Sequence, residues 1–257
     1  YGTPLEWGCT IFFVGSDALG RDLWSRMIYG SRVSLTVAIV AATVSLTIGT
    51  VYGIISGYAG GRVDNFMMRI VDFLYALPTF PILILMTFYF QQIGRRGEEA
   101  GGAANLLINI NRSMGGLFFI FIVIGALFWL GMARLARGQV LSYKQQEFVQ
   151  AAEAMGASDN RILFRHLLPN IIGPLLIAES LAIPGYIFLE AFLSFIGLGV
   201  QPPRPSWGAM INDGYQGLRS APWLVLVPGM ALMLTTLAFN FMGDGLRDAF
   251  DVRLRGR

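Results

Sequence analysis

The chain has 257 residues, of which 54% are apolar and 14% charged, and its mean hydropathy is +0.58. Ordinary soluble domains carry charges on about a quarter of their residues, so this composition indicates a protein that crosses a membrane several times. The net charge of +3 is too small and too dispersed for a nucleic-acid-binding protein. One cysteine, Cys9, and one histidine, His166, exclude an internal disulfide and argue against a zinc site.

Five apolar stretches are candidates for membrane-spanning helices, because about 20 residues are needed to cross the hydrocarbon core. They lie at about 33–58, 66–90, 117–134, 171–196 and 223–242. The third is short, and we expect it to continue as helix past Arg134. The runs are too long and too evenly apolar for barrel strands. They predict an all-α, polytopic protein whose single domain covers residues 1–257.

Basic residues are distributed unequally between the two sides of these spans. The side that holds segment 144–169 and the C-terminus carries eleven of them, and the side with loops 1–32, 91–116 and 197–222 carries eight. The positive-inside rule therefore predicts a cytoplasmic C-terminus and three external loops. It also places the N-terminus outside, so we expect a further span upstream of this chain.

Glycine occurs in two different patterns. Gly49, Gly53, Gly57 and Gly61 recur four residues apart, a spacing that lets another helix approach closely, either within this subunit or at a subunit interface. Residues 94–115 form a polar, glycine-rich stretch that we expect to be an exposed loop. No Lys-Ser or Lys-Thr pair follows its glycines, so it does not form a phosphate-binding loop.

Segment 144–169 carries the pattern of an amphipathic helix. Its apolar residues Phe148, Ala151, Ala152 and Met155 fall at i, i+3, i+4 and i+7, which predicts one apolar helix face between residues 145 and 155. Gly156 is expected to end this helix, because glycine adopts the left-handed conformation common after helix ends.

A second short helix is predicted in the same segment. Ser158 is a favourable N-cap, and Asp159 suits the first turn of a helix. One side of this helix is apolar and consists of Ile162, Leu163, Leu167 and Leu168. Pro169 is expected to close it before the next span. This periodicity fits a segment that docks a partner and fits equally well a loop that lies against its own spans.

The segment resembles the EAA loop of bacterial ABC-importer permeases. Ala151, Ala152, Gly156 and the ending Leu167, Leu168 and Pro169 stand in register with that motif. One position departs from it, because Gln150 stands where the motif has glutamate. The amide retains the shape and hydrogen bonding of that residue but not its charge.

Longer stretches carry the resemblance over most of the chain. Residues 15–35, 57–78, 189–214 and 237–255 resemble, in this order, the C-type permeases of dipeptide, oligopeptide and nickel importers. The resemblance implies six spans, of which the first would lie upstream. It also implies a membrane complex in lipid with a B-type permease, two ATPase subunits that bind ATP and magnesium, and an extracytoplasmic binding protein.

The resemblance further implies which residues contact the ATPase, by insertion of the loop helix into a groove. They are Gln150, Ala151, Ala152, Glu153, Ala154, Met155, Gly156, Ala157, Ser158, Asp159 and Arg161. The turn from Met155 to Ala157 is expected at the tip. The chain has no Walker motif, so we expect neither a catalytic residue nor a cofactor or metal of its own.

Charged residues within the spans need a reason, because each costs about 2.5–3.5 kcal/mol at a helix centre. Glu179 and Glu190 are eleven residues apart and share a helix face. They are candidates to line the translocation pathway, where Glu179 would favour a cationic or amine-bearing substrate. The alternative is a protonated or hydrogen-bonded glutamate that packs between helices. Arg69 and Asp72 are one turn apart, which predicts an intrahelical pair.

These features together predict a permease subunit of an ATP-driven importer for di- or oligopeptides in the bacterial inner membrane. Nickel chelates or glutathione are alternative substrates within the same resemblance. A transporter or channel that works without an ATPase would explain the spans but not the two-helix segment. An intramembrane enzyme is disfavoured, because one histidine and no nucleophile–base set are present.

Overall fold

The computed structural model describes residues 13–95 and 103–250, and within those ranges the regular elements are helices. In chain order they are α1 Leu23–Ala59, α2 Gly61–Ala76, α3 Thr79–Arg95, α4 Ala103–Ser113, α5 Leu117–Tyr143, α6 Glu147–Ala154, α7 Asp159–Phe195, α8 Trp207–Tyr215 and α9 Trp223–Phe250. The predicted all-α fold is confirmed.

Each predicted apolar stretch coincides with a helix, except that 66–90 is divided between α2 and α3. Among the described residues, α1, α5, α7 and α9 are each long and apolar enough to cross a membrane, and α2 with α3 makes a fifth span if the bent pair counts as one. As expected, α5 continues past Arg134 to Tyr143. Residues 144–158, which join α5 to α7, are called the connecting segment, and the end of the bundle that carries them is called the lower end. The upper end carries α8 and residues 13–22.

Two hydrophobic clusters occupy the inside of the bundle. The upper cluster joins α1, α3, α5, α7 and α8, and it includes Val37, Leu83, Ile124, Ile187 and Trp207. The lower cluster joins α1, α5 and α7 to the connecting segment, and it includes Ile54, Val140, Val149, Ala152 and Ile171. The connecting segment is therefore part of the folded core and not a separate loop.

The second predicted span, 66–90, is wrong as one continuous helix. Helix α2 ends at Ala76, α3 begins at Thr79, and their axes differ by 83°. Pro78 explains the break, because a proline ring disfavours the helical conformation at the residue before it. Leu77 is accordingly extended, with φ −75° and ψ 138°.

Helix α1 begins at Leu23, ten residues before the predicted start of the first span. The carboxylate of Asp22 accepts the backbone N–H of Ser25 at 2.9 Å and so satisfies one of the unpaired donors at the helix start. Hydropathy placed the boundary at Val33 because the first turns of α1 are polar, whereas the cap sets where the helix begins.

The other two predicted external loops also contain helices. In 91–116, the end of α3 and all of α4 are helical, so the predicted exposed loop is corrected there, while residues 96–102 lie outside the described residues. In 197–222, α8 begins after Ser206, whose hydroxyl accepts the N–H of Ala209 at 3.3 Å. Ile108 on α4 and Met210 on α8 are buried, so each helix has an apolar side that the polar composition concealed.

Pro169 does not close a short helix, as the sequence predicted. Helix α7 runs without interruption from Asp159 to Phe195, with a wider π-helical stretch at Ile162–Leu167 just before the proline. A proline within a helix has no N–H to donate, and its ring clashes with the carbonyl four residues earlier. A π-helical stretch is a local change in the pattern of backbone hydrogen bonds, so the helix can continue past the proline. The second helix of segment 144–169 and the fourth span are therefore one helix. Its predicted apolar side does face the bundle, because Ile162 and Leu167 are fully buried.

The glycines of the first span pack within this subunit. A Cβ atom added to Gly49 would lie 2.6 Å from Cβ of Met132, and one added to Gly53 would lie 2.3 Å from the carbonyl oxygen of Ala133. At Gly57 the corresponding distance to the carbonyl oxygen of Arg137 is 3.0 Å. Helix α1 thus touches α5 closely at three positions over about two turns. Gly61 lies outside this contact, since a Cβ atom added to it would meet no atom within 4 Å.

We predict that Gly53→Ala destabilises the subunit by roughly 1–3 kcal/mol, because the added methyl must push α1 away from α5. The measurement is the midpoint of thermal unfolding of the purified subunit in detergent. Gly138→Ala is the matched control, because Gly138 lies on α5 with no atom within 4 Å of an added Cβ. Equal midpoints for the two variants would contradict the close packing.

Candidate functional site

The connecting segment consists of one short helix and a tight turn. Helix α6 ends at Ala154, and Gly156 follows with φ +78°, as predicted from its position. The N–H of Ala157 donates to the carbonyl of Ala152 at 3.0 Å, and that of Gly156 donates to the carbonyl of Glu153 at 2.9 Å. This pair of hydrogen bonds is the Schellman motif, which satisfies the last carbonyls of a helix. The turn is therefore set by local chemistry.

The four residues of the predicted apolar face of α6 do not all lie on one side. Val149 and Ala152 are buried in the lower cluster, whereas Phe148, Ala151 and Met155 point away from the bundle. Phe148 is 41% exposed and Met155 is 82% exposed. The sequence spacing grouped Ala152 with these outward residues, but in the structure Ala152 lies on the inward side together with Val149. We call Phe148, Ala151 and Met155 the exposed stripe.

The residues predicted to contact an ATPase divide between the two sides of the segment. Those that are exposed are Gln150, Ala151, Glu153, Ala154, Met155, Gly156, Ser158, Asp159 and Arg161. Ala157 is half-buried, and Ala152 is buried. The side chain of Gln150 donates to the carbonyl of Gln145 at 3.3 Å, so it bonds within the segment. Ala152 belongs to the packing of the segment and does not reach its outer surface.

The first residue of the connecting segment and the first residue of α7, which directly follows the segment, are both bonded to Tyr58 near the end of α1. The Nζ of Lys144 donates to the carbonyl of Tyr58 at 2.7 Å and lies 5.1 Å from the centre of its ring. The Tyr58 hydroxyl donates to Oδ1 of Asp159 at 2.8 Å. Sequence reasoning missed this arrangement, because no local spacing relates position 58 to positions 144 and 159.

Ion pairs at the lower end join neighbouring helices. Arg137 on α5 donates to both carboxylate oxygens of Asp64 on α2, each at 2.6 Å, and the hydroxyl of Ser56 donates to the same carboxylate. Asp72 pairs with Arg134 at 2.7 Å. The predicted intrahelical pair of Asp72 with Arg69 is therefore wrong, because α5 brings a closer guanidinium to the carboxylate.

Glu179 and Glu190 are buried between α7 and α1. Glu179 accepts hydrogen bonds from the hydroxyls of Ser45 at 2.9 Å and Tyr186 at 2.8 Å. Glu190 accepts from the hydroxyls of Ser34 at 2.7 Å and Ser194 at 2.6 Å. The structure thus describes hydrogen-bonded glutamates that pack between helices, the alternative left open by the sequence. In this conformation neither carboxyl faces an open pathway, and their role in translocation stays a prediction.

The two carboxyls and their partners on α1 have the same spacing. Ser34 and Ser45 are eleven residues apart, as are Glu190 and Glu179. Because α1 and α7 are antiparallel, equal spacing of about three turns places both pairs in register. This match of serine and glutamate spacing is a sequence signal that could have located the α1–α7 contact.

A cavity of about 510 Å³ opens at the upper end between residues 17–26, residues 197–204 and α8. At its edge, Asp17 accepts from Arg21 at 2.7 Å and from Arg26 at 2.5 Å, and Arg26 also bonds Asp213 at 3.0 Å. Burial raises the pKa of Asp17, but the hydrogen bonds donated by Arg21 and Leu19, together with the positive charge of Arg21, outweigh it and hold the pKa below its usual value. This charged network ties the chain before α1 to α8, and the sequence did not predict it.

No group of three potential metal ligands among His, Cys, Asp and Glu occurs in the part of the chain that the structure describes. The geometry offers buried carboxyls within the spans and an outward apolar stripe at the lower end.

Comparison with known proteins identifies the family of this chain. Residues 49–256 match the family described as binding-protein-dependent transport system inner membrane component. The chain belongs to this family. It is accordingly a multi-pass membrane protein of a transport system, and its family is one of transport permeases.

The sequences of known peptide-transport permeases align with almost the whole of this permease. It is 45% identical to the oligopeptide transport system permease protein OppC of Haemophilus influenzae, over 95% of this chain and 71% of that protein. It is 42% identical to OppC of Escherichia coli K12, over 95% of this chain and 73% of that protein. For the dipeptide transport system permease protein DppC of Bacillus subtilis, the identity is 42% over 94% of this chain and 68% of that protein. The resemblance to C-type permeases is thereby confirmed.

The fold of the permease is also found in a solved structure of another transporter. The MetNI methionine ABC transporter in an inward-facing conformation superposes with a TM-score of 0.63 over 88% of this chain and 97% of that chain. The sequence identity is 19%, so the similarity lies in the arrangement of helices.

We predict that the buried carboxyls stabilise the permease through hydrogen bonds and shape. Glu190→Gln retains a carbonyl acceptor of nearly the same volume and should lower the thermal midpoint only slightly. Glu190→Ala removes the acceptor of two buried hydroxyls and leaves a cavity, which should cost about 2–5 kcal/mol. Thermal unfolding in detergent measures both. An equal loss in the two variants would show that the charge itself is required.

Proposed function

We propose that this permease is one of two membrane subunits of an ATP-driven importer for di- or oligopeptides, and that its connecting segment docks an ATPase subunit. The observation that carries the docking is the exposed stripe on α6. Family membership supports the class of transport, and the relatives named as oligopeptide and dipeptide permeases support the substrate.

The exposed stripe has the properties of a docking surface. Its large side chains, Phe148 and Met155, stand outward at helical spacing, while Val149 and Ala152 hold the opposite side of α6 in the lower cluster. A helix held in this way presents its apolar residues in fixed positions, which is the form of recognition in which a helix enters a groove. Burial of a methionine side chain contributes about 1.5–3 kcal/mol. Burial of the exposed stripe against a partner would therefore contribute several kcal/mol to the free energy of binding, at about 1.5–3 kcal/mol for each large side chain.

The lower end faces the cytoplasm in this proposal, together with the C-terminus. The excess of basic residues on that side supports this orientation. Two ATPase subunits would bind ATP and magnesium there, and the upper end would face an extracytoplasmic binding protein. Helix α9 is exposed along most of its length, with Leu226, Met230 and Leu234 among its outward residues. Lipid and a B-type permease are the neighbours that such a surface requires.

Peptides are the substrate class that we propose. Closure of the ATPase subunits would move the connecting segment and tilt the spans that adjoin it, which exposes the pathway alternately to the two sides. The binding protein delivers the peptide at the upper end. The permease itself handles no nucleotide.

We predict that Met155→Glu weakens association with the ATPase subunits about 10- to 100-fold, because it places a charge where an apolar side chain is buried. The amount of ATPase that co-purifies with the permease after mild detergent extraction measures this. Leu19→Glu is the matched control, since Leu19 is 74% exposed at the upper end. Full retention of the ATPase by Met155→Glu would contradict docking at the stripe.

We further predict that the complex, reconstituted in proteoliposomes with its binding protein, takes up labelled oligopeptides only when ATP is supplied. Uptake of glutathione and of a nickel chelate is measured in parallel under the same conditions. Uptake of the chelate or of glutathione instead of peptide would contradict the proposed substrate. Peptide uptake without ATP would contradict the proposed mechanism and favour an ATPase-independent transporter.

A further inference from the structure

Tyr58 lies where three spans and the connecting segment meet. It is the residue before the last one in α1, and Gly60 turns the chain away from the bundle directly afterwards with φ +63°. Lys144 follows the end of α5, and Asp159 begins α7. The two hydrogen bonds of Tyr58 therefore join the end of α1 to the end of α5 and to the start of α7.

These two bonds differ in what they connect. The bond from Lys144 duplicates an existing contact, because α1 and α5 already touch through Gly49, Gly53 and Gly57. The bond from the Tyr58 hydroxyl leads instead to Asp159, the first residue of α7, directly beside the connecting segment. Among the described side-chain hydrogen bonds at the lower end, it is the one that joins α1 to α7.

The Tyr58–Asp159 bond is also the lowest of three similar contacts along the same two helices. In each, a hydroxyl on α1 donates to a carboxyl on α7: Tyr58 to Asp159, Ser45 to Glu179, and Ser34 to Glu190. The upper two are buried, whereas the bond of Tyr58 is exposed beside the connecting segment. It is therefore the contact of the three that a movement of the connecting segment reaches first.

We propose that Tyr58 is a positioning residue that transmits movement of the connecting segment to the α1–α5 pair through its hydroxyl. The inference rests on the proposed docking of an ATPase at the exposed stripe. When the segment moves with the ATPase, Asp159 at the start of α7 moves with it. The hydroxyl bond then carries α1 and α5 along, so that the three spans move together.

The test is Tyr58→Phe, which removes the hydroxyl but retains the ring and the backbone carbonyl that Lys144 binds. In proteoliposomes with binding protein and ATPase subunits, we expect the number of peptides taken up per ATP hydrolysed to fall about two- to tenfold, the range of one net hydrogen bond. The thermal midpoint and the amount of bound ATPase should be those of the unaltered complex. An unchanged ratio of uptake to ATP hydrolysis would overturn the proposal.

Tyr52→Phe is the matched control. Tyr52 lies on the same helix, and its hydroxyl donates to the carbonyl of Met67 on α2 at 2.9 Å, away from the connecting segment. The ratio of uptake to hydrolysis should stay unchanged in this variant. An equal fall in both variants would show a general effect of hydroxyl loss on α1 and would overturn the specific role of Tyr58.

A double-mutant comparison identifies the partner. Tyr58→Phe, Asp159→Ala and the double variant should lower the ratio of uptake to hydrolysis by the same factor, because each breaks the same bond. If the factor in the double variant were the product of the factors in the two single variants, the two residues would act separately and the proposal would be overturned. Loss of bound ATPase in Met155→Glu is independent of this comparison. The docking can therefore stand if the role of Tyr58 fails, whereas retention of ATPase by Met155→Glu removes the basis of both.

Discussion

The close approach of α1 to α5 is the constraint on which the lower half of the structure depends. At Gly49, Gly53 and Gly57 the backbones are so near that a side chain on α1 would overlap α5. In lipid no hydrophobic force drives two apolar helices together, so contacts of this kind must come from close packing. The pair supports the Arg137–Asp64 ion pair on one side and the lower cluster on the other. The connecting segment then packs on a surface whose two helices are held close together.

Polar side chains join this pair to the rest of the bundle. The carboxyls on α7 meet hydroxyls on α1, and the described geometry gives Glu179 and Glu190 two hydroxyl donors each. A buried carboxyl with good donors is tolerated in a span, whereas one without a partner is costly. These contacts also restrict how α1 and α7 can rotate against each other, because both pairs must stay in register. Movement of the helices as a unit is therefore easier than independent movement.

The connecting segment combines a fixed side with a free side. Val149 and Ala152 belong to the lower cluster, whereas Met155 stands on the outside next to a turn whose hydrogen bonds are complete. The segment is thus part of its own subunit and presents a prepared surface to another. This division explains why a short helix of eight residues is ordered here, since isolated helices of that length are not stable in water.

The length of the apolar stretches was enough to locate four of the five spans and to predict the all-α fold, because the bilayer sets the length of a span. The glycine at position 156 was enough to predict the end of α6, because the left-handed turn after a helix is a local feature of the backbone. The resemblance of the segment to the EAA loop located the candidate site. The direction of the α6 face could not be predicted, because Val149 and Phe148 are equally apolar and only packing against α5 and α7 chooses between them. The same holds for Asp72, which pairs across helices with Arg134, and for Tyr58, whose partners lie about 90 and 100 residues away in the chain. The sequence by itself determined which segments cross the membrane. The tertiary structure decided which side chains meet, since contacts between distant segments depend on how the helices pack and not on local spacing.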